Sequence, residues 1–184
     1  MRVIAGKAKG RALVAPEGFD TRPITEMMKE ALFSMWQFQI QGSDFLDLFA
    51  GSGSMGIEAI SRGARRAVFV EMNQKAIDVI KQNVKTCKFT EEAVIYKDDV
   101  FRRIEWLKNN GESFDIIYLD PPFTVDEIFH PVLEAVTSAG ILNEDGIIAI
   151  RTLKEKDMPE EINGLEKYKF KVYGISAIHF YREK

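Results

Sequence analysis

Apolar positions along this 184-residue chain follow two rhythms that alternate. Short apolar runs at 45–49 (interrupted by Asp47), 66–70, 93–96, 114–119 and 146–151 have the length and composition of buried strands. Between them, helical spacing predicts helices over 55–62, 73–86, 100–109 and 125–138, the second with Ala76, Ile77, Ile80 and Val84 in line. Residues 168–172 and 177–181 read as a closing hairpin around Gly174. Strands separated by helices predict one doubly wound α/β domain, a mostly parallel sheet covered on both faces with one antiparallel strand at its edge. Before Ser43 the pattern differs. Residues 2–15 read as two short strands around Lys7-Ala8-Lys9-Gly10, and 16–23 as a connector. A helix then runs from an N-cap at Thr25 to about residue 40, with Ala31, Leu32, Met35, Trp36 and Phe38 on its apolar side. The expected organisation is therefore an N-terminal hairpin-and-helix extension, 1–42, on an α/β domain, 43–184.

Composition narrows the class. Hydrophobic residues at 46% and charged residues at 29% fit a soluble globular protein. No run of about 18 apolar residues predicts a membrane span, and the N-terminus lacks the apolar region of a secretory signal. A lone cysteine, Cys87, gives neither a disulfide framework nor a cysteine zinc site. Two histidines, His130 and His179, are too few for a histidine metal cluster, and no metal is expected. The reading is a cytoplasmic protein. His179 is expected to be packed in the last strand, His130 on a helix surface, and Trp36, Trp106 and the strand phenylalanines in the core. Lys154 to Lys156 and Glu160-Glu161 read as solvated surface.

Net charge is −3 and advertises no polyanion partner, but its distribution does. Arg2, Lys7, Lys9, Arg11 and Arg22 against Glu17 and Asp20 give residues 1–22 a charge of +3, which leaves −6 for the rest. That asymmetry fits a basic arm on an acidic body as well as a plain solvated hairpin.

Two segments carry chemistry. Asp47-Leu48-Phe49-Ala50-Gly51-Ser52-Gly53-Ser54-Met55-Gly56 follows the first strand of the alternating region and opens a helix. Its glycines match G-x-G-x-x-G, which permits tight turning and close backbone approach to a ligand. Glu71, at the end of the next strand, can accept hydrogen bonds from ribose hydroxyls. Together they indicate an adenosine-bearing cofactor without choosing between a dinucleotide and S-adenosylmethionine. Asp47 would sit beneath the cofactor. Of Asp98 and Asp99, one can accept an adenine amino group while the other caps the following helix.

The second segment, Asp120-Pro121-Pro122-Phe123, ends the fourth strand. A base amino group is a weak nucleophile because its lone pair is delocalised into the ring. Acceptors on its two hydrogens favour pyramidal nitrogen and aim the lone pair at a methyl donor. Asp120 and the Pro121 carbonyl can be those acceptors, held rigidly by tandem prolines. Such placement lowers the barrier to direct displacement. Phe123 offers a face for an extruded base, worth roughly 1–3 kcal/mol, against an extrusion cost of a few kcal/mol.

The two motifs resemble the amino-methylating group of class I methyltransferases. Arg2-Val3-Ile4-Ala5-Gly6 with Gly10-Arg11, Thr21-Arg22-Pro23-Ile24-Thr25, Glu30-Ala31-Leu32-Phe33 and the ending from Tyr173-Gly174 to Phe180-Tyr181-Arg182 narrow the likeness. They resemble the bacterial small-subunit rRNA guanine-N2 methyltransferase family called RsmD, over nearly the whole chain. The resemblance implies a seven-stranded, Rossmann-like sheet and S-adenosylmethionine as methyl donor, with S-adenosylhomocysteine as product. It implies a guanine in 16S rRNA as target, within the small ribosomal subunit or its assembly intermediate. A monomer is expected. Asp120, Pro121, Pro122 and Phe123 become the catalytic loop. The cofactor set is Asp47, Phe49, Ala50, Gly51, Ser52, Gly53, Glu71, Met72, Asp98 and Asp99. Arg2, Lys7, Lys9, Arg11 and Arg22 would engage RNA. Ile24 and Asp98-Asp99 depart from the family's commoner residues, which bears on cofactor details.

Guanine presents N1–H beside its N2 amine, and one carboxylate can accept from both, so Asp at position 120 leans toward guanine. An adenine-N6 methyltransferase on DNA or RNA is the nearest rival. A nicotinamide dehydrogenase shares the glycine motif but leaves Asp120 to Phe123 idle. A non-catalytic RNA-binding assembly factor leaves Asp120 without a purpose.

Overall fold

The computed structural model describes residues 1–18 and 23–184; Thr21 and Arg22 of the N-terminal motifs lie outside the described residues. Thr25 caps the first helix, α1 (Glu26–Met35), its side-chain oxygen accepting from the Met28 N–H at 3.2 Å. The alternating region follows as β1 (Asp44–Leu48), α2 (Ser54–Ser61), β2 (Arg66–Glu71), α3 (Gln74–Thr86), β3 (Ala93–Lys97), α4 (Val100–Asn109) and β4 (Phe114–Leu119). A short 3-10 turn (Asp126–Ile128) leads into α5 (Phe129–Ser138), then β5 (Leu142–Leu153), β6 (Glu161–Ile162), β7 (Leu165–Tyr173) and β8 (Ser176–Glu183). Asn73 and Asp99 cap α3 and α4 through their side chains.

One sheet contains all of these strands in the order β3-β2-β1-β4-β5-β8-β7-β6. The first five run parallel. β8 pairs antiparallel with β5 and with β7, and the two-residue β6 pairs antiparallel with β7. Antiparallel pairing is thus confined to one edge of the sheet, as expected, and a small eighth strand, β6, joins the seven there. Side chains alternate across a strand, and the core divides accordingly. Phe45, Phe69, Ile116, Tyr118 and Ala149 pack in one cluster with residues of α1, α2 and α3. Leu46, Leu48, Val68, Val70, Ile117 and Ile150 pack in another with residues of α4 and α5. No helix among the described residues is long and apolar enough to cross a membrane.

Three expectations change. Residues 2–15 form a loop with a single bridge, Arg2 to Ala12, in place of two strands. The Val3, Gly10 and Leu13 amides bond to carbonyls within the loop, and others go to the body: Ile4 and Ala5 donate to the Glu58 carboxylate at 3.0 and 3.1 Å, Ala8 to Ser61 Oγ at 2.9 Å, and Val14 to Asn83 Oδ1 at 2.9 Å. Val3, Ala8 and Leu13 are buried with α1 in the first core cluster. Second, α1 stops at Met35, and the turn that follows brings Trp36 and Ile40 inward and leaves Phe38 87% exposed. Third, Trp106 is exposed at one edge, against Tyr96 at 5.7 Å and under the Arg103 guanidinium, so it covers the sheet margin from outside. His179 is buried and His130 exposed, as their strand and helix positions suggested.

Candidate active site

In this strand order the chain reverses direction between β1 and β4, and ligands of open α/β sheets bind at the carboxyl ends of strands beside such a point. The register shows why polar groups gather there. Asp47 lies opposite Phe69 on one side and Tyr118 on the other, and Tyr118 opposite Ala149. Two residues on from Phe69, Tyr118 and Ala149, the same face carries Glu71, Asp120 and Arg151.

The glycine loop between β1 and α2 holds its shape through local constraints. Phe49 adopts a left-handed backbone with φ 63°, and Gly53, the N-cap of α2, has φ 78°. At Gly56 a Cβ would lie 2.3 Å from the Phe69 ring, so only glycine lets α2 seat on β2. Two carboxylates brace the loop. Asp47 Oδ2 accepts from the Gly56 N–H at 3.1 Å. Glu71 accepts from the Gly51 N–H at 2.8 Å and from the Met72 and Asn73 N–H groups, each at 2.9 Å. Asp47 is buried, and that burial pushes its carboxyl well above the usual range, with further upward pressure from the charges of Asp120 and Glu71.

Two cavities open on this edge and share Phe49, Gly51 and Asp120. The larger, about 550 Å³, is walled by Val70, Glu71, Met72, Asp99, Val100, Phe101, Pro122 and Ile128. The smaller, about 130 Å³, is lined by Asp47, Ala50, Ser52, Tyr118 and Met55, and roofed by Met1, Ala15, Pro16, Pro23 and Ile24 from the N-terminal segment. Most of the anticipated cofactor residues therefore meet. Gly53 and Asp98 do not line either cavity: Gly53 packs behind the loop against Phe69 and Ile80, and Asp98 binds Arg103 at 3.0 Å. The capping task falls to Asp99, which accepts from the Arg102 N–H at 3.1 Å and also reaches the larger cavity.

Along the Asp120-Pro121-Pro122-Phe123 loop, Asp120 faces both cavities, Pro122 the larger one, and Pro121 is buried. Phe123 looks toward a separate recess of about 410 Å³ with Phe129 and Lys156. Asp120 is held by two groups that the sequence reading passed over. Arg151 Nη1 donates to Oδ2 at 3.1 Å, and the Tyr118 hydroxyl donates to the same oxygen at 3.3 Å. Burial raises the Asp120 carboxyl above its usual range. The charge of Arg151, with hydrogen bonds from Arg151 and Tyr118, offsets part of that rise. Arg151 was visible as a cation ending an apolar strand, Ile147-Ile148-Ala149-Ile150, and Tyr118 as a hydroxyl two residues before Asp120.

The basic loop lies across α2 and α3 from the sheet. Lys7, Lys9 and Arg11 are exposed, and Arg2 pairs with Glu26 at 3.2 Å. Beneath the loop is a buried charge network that no motif signalled. Lys29 Nζ donates to the Arg2 carbonyl at 2.8 Å and lies 3.5 Å from Glu58, which also accepts from Arg62 at 2.9 Å.

A five-strand parallel run in the order 3-2-1-4-5, a glycine loop after β1, an acid closing β2 and Asp-Pro-Pro-Phe after β4 define the fold of class I S-adenosylmethionine-dependent methyltransferases. Solved structures agree. Escherichia coli yhhF superposes with a TM-score of 0.85 at 27% identity, covering 100% of this chain and 98% of that one. A more distant fold neighbour, SMU.776, was solved in complex with S-adenosylhomocysteine (14% identity, TM-score 0.68, 86% and 50% covered). Among relatives, YlbH of Bacillus subtilis is 37% identical over 100% of both chains. Ribosomal RNA small subunit methyltransferase D of Haemophilus influenzae is 32% identical over 99% of this chain and 93% of its own. The profile of the family described as "Conserved hypothetical protein 95" matches residues 1–182, and the chain belongs to that family, the RsmD methyltransferases its N-terminal motifs resemble.

Proposed function

We propose that this protein transfers a methyl group from S-adenosylmethionine to the exocyclic N2 amine of a guanine in small-subunit (16S) rRNA. The observation that carries the reading is the charge of the cleft. Asp47, Glu71 and Asp120 bring three carboxylates to the two joined cavities. The α2 N-terminus, where a dinucleotide pyrophosphate would dock, already has Asp47 on its Gly56 N–H. That surrounding repels a pyrophosphate and suits a ligand with sulfonium and ammonium cations. A volume of about 550 Å³ with apolar walls from Val70, Met72, Val100 and Phe101 suits adenosine.

In this reading Glu71 takes the ribose hydroxyls, Asp98 or Asp99 the adenine amine, and Phe49, Met72 and Pro122 flank the nucleoside. Ala50, Gly51, Ser52 and Gly53 shape the loop around the amino-acid end, with Asp47 drawing the ammonium. S-adenosylmethionine supplies the electrophilic methyl. Asp120 Oδ2 takes the Tyr118 hydroxyl and the shorter of two Arg151 contacts, and Oδ1, with Arg151 at 3.5 Å, is the oxygen assigned to the substrate amine. Oδ1 accepts an amine N–H, the Pro121 carbonyl accepts the other, and the raised affinity of the Asp120 carboxyl for protons equips it to receive the one the methylated nitrogen sheds. Phe123 serves as the stacking face. Residues 1–42 are the RNA-facing extension of the 43–184 domain, with Arg2, Lys7, Lys9, Arg11 and Arg22 on phosphates. The proposed setting is a cytoplasmic monomer acting on the small subunit or its assembly intermediate.

Calorimetry with S-adenosylhomocysteine and with NAD tests the cofactor: binding of the first alone is expected, and binding of NAD alone overturns it. Mass spectrometry of rRNA nucleosides with and without the protein tests the base, where N6-methyladenine in place of N2-methylguanine would select the adenine reading. Asp120→Ala is expected to lower methyl transfer by about 10²-fold or more with S-adenosylhomocysteine affinity nearly unchanged.

A further inference from the structure

We propose that Arg151 is a positioning residue for methyl transfer: one guanidinium fixes both ends of the Asp120–Phe123 loop, the Asp120 carboxylate and the Phe123 ring. The role rests on the reading of Asp120 as the acceptor for the substrate amine.

Arg151 is 4% exposed, in a strand whose preceding residues are apolar and buried. Such burial is costly for a cation unless partners compensate it, and the partners belong to the catalytic loop. Nη1 lies 3.1 Å from Asp120 Oδ2 and 3.5 Å from Oδ1, Nη2 lies 3.4 Å from Ser176 Oγ on β8, and Cζ sits 5.2 Å from the Phe123 ring centroid. The planar fork of arginine can hold a carboxylate, a hydroxyl and an aromatic face at once, which the point charge of lysine cannot. Pro121 and Pro122 stiffen the segment between the two contacts, but a stiff segment still needs its ends set. Arg151 sets them from outside the loop, from β5 and anchored on β8.

Charge follows from the same geometry. Among the described residues, Arg151 from β5, Tyr118 from β4 and Asp47 from β1 act on Asp120, and Glu71 from β2 and Asp99 before α4 line the larger cavity with it. Without Arg151 nothing among these offsets burial by charge, so Asp120 holds its proton to a higher pH. Methyl transfer that requires ionised Asp120 then loses its acid limb at a higher pH than in the parent.

The test compares the parent with Arg151→Gln and Arg151→Lys, using small-subunit rRNA as substrate. For Arg151→Gln the expectation is S-adenosylhomocysteine affinity within about twofold, kcat lower by about 10²-fold, and the acid limb of the kcat profile displaced to higher pH. Arg151→Lys should restore the limb toward the parent position while kcat stays low, because charge returns without the fork. A parent-like kcat and pH profile in Arg151→Gln overturns the proposal. So does a kcat loss with an unmoved limb and a parallel loss of cofactor affinity, which marks a plain structural role. Should Arg151→Gln not fold, Arg151→Lys decides: a parent-like kcat refutes the need for the fork. A parent protein that binds S-adenosylhomocysteine but methylates no rRNA defeats the Asp120 reading instead, and this role with it.

Discussion

Two buried charge clusters in this protein have similar parts and different endings. At the N-terminal loop, Glu58 is fully buried and accepts from Lys29, Arg62 and the Ile4 and Ala5 amides. At the cleft, Asp120 accepts from Arg151 and Tyr118, yet 23% of its side chain stays open to the cavities. The first cluster is closed, with every acceptor position engaged by protein, and its product is a loop fastened to the body. The second stays partly open to the cavities although Arg151 reaches both Asp120 oxygens, Oδ2 at 3.1 Å and Oδ1 at 3.5 Å. A buried ion cluster is weak grounds for stability in itself, but removing one member is costly. The partly exposed carboxylate is what separates a structural cluster from one prepared for a ligand.

The clusters are coupled through Met1, Ala15 and Pro16, ends of the fastened loop that roof the smaller cavity. Glu58→Ala should therefore produce the largest stability change, about 3–5 kcal/mol in urea denaturation. It should also weaken S-adenosylhomocysteine binding although Glu58 touches neither cavity; unchanged affinity would uncouple loop and site. A smaller and opposite effect is expected from Asp47→Asn. Because burial raises the Asp47 carboxyl in the folded protein, its contribution is fully present below the unfolded value of about 3.9. That contribution is lost as pH rises through the folded value. The variant should lose less stability than the parent between pH 4 and pH 8 and bind the cofactor more weakly, as measured by denaturation at both pH values and by calorimetry. The smallest stability effect is expected at the exposed cations. Replacing Lys7, Lys9 and Arg11 by Gln should change stability by no more than about 0.5 kcal/mol while lowering the salt slope of rRNA binding by roughly 2, at about 0.7 per phosphate contact. An unaltered slope makes the loop a structural flap.

Where the chain's own pattern specifies local structure, reading it succeeds. Val100–Asn109 and Phe114–Leu119 were legible to the residue because capping by Asp99 and an apolar run broken only at Asp115 are local signals. The N-terminal strands were misread because only a few of their amides pair with each other, while those of Ile4, Ala5, Ala8 and Val14 find Glu58, Ser61 and Asn83, partners 53 to 69 positions away. Phe38 was misread because α1 ends before it, at a turn that helical periodicity does not announce. Asp47, Glu71 and Asp120 were legible as strand-end acids in motif context, whereas Arg151 and Tyr118 carried no motif.

The sequence by itself determined the alternation of strands and helices, the placement of the glycine and Asp-Pro-Pro-Phe loops at strand ends, and the acids that close them. These follow from spacing, turn chemistry and side-chain type, which act over a few residues. Tertiary structure alone decided that Arg151 from β5 would meet Asp120 from β4, that Asp47, Glu71 and Asp120 would gather at two joined cavities, and that an N-terminal loop would roof the smaller one. Those outcomes depend on strand register and on which face each side chain takes, and register is set by the packing of the whole sheet.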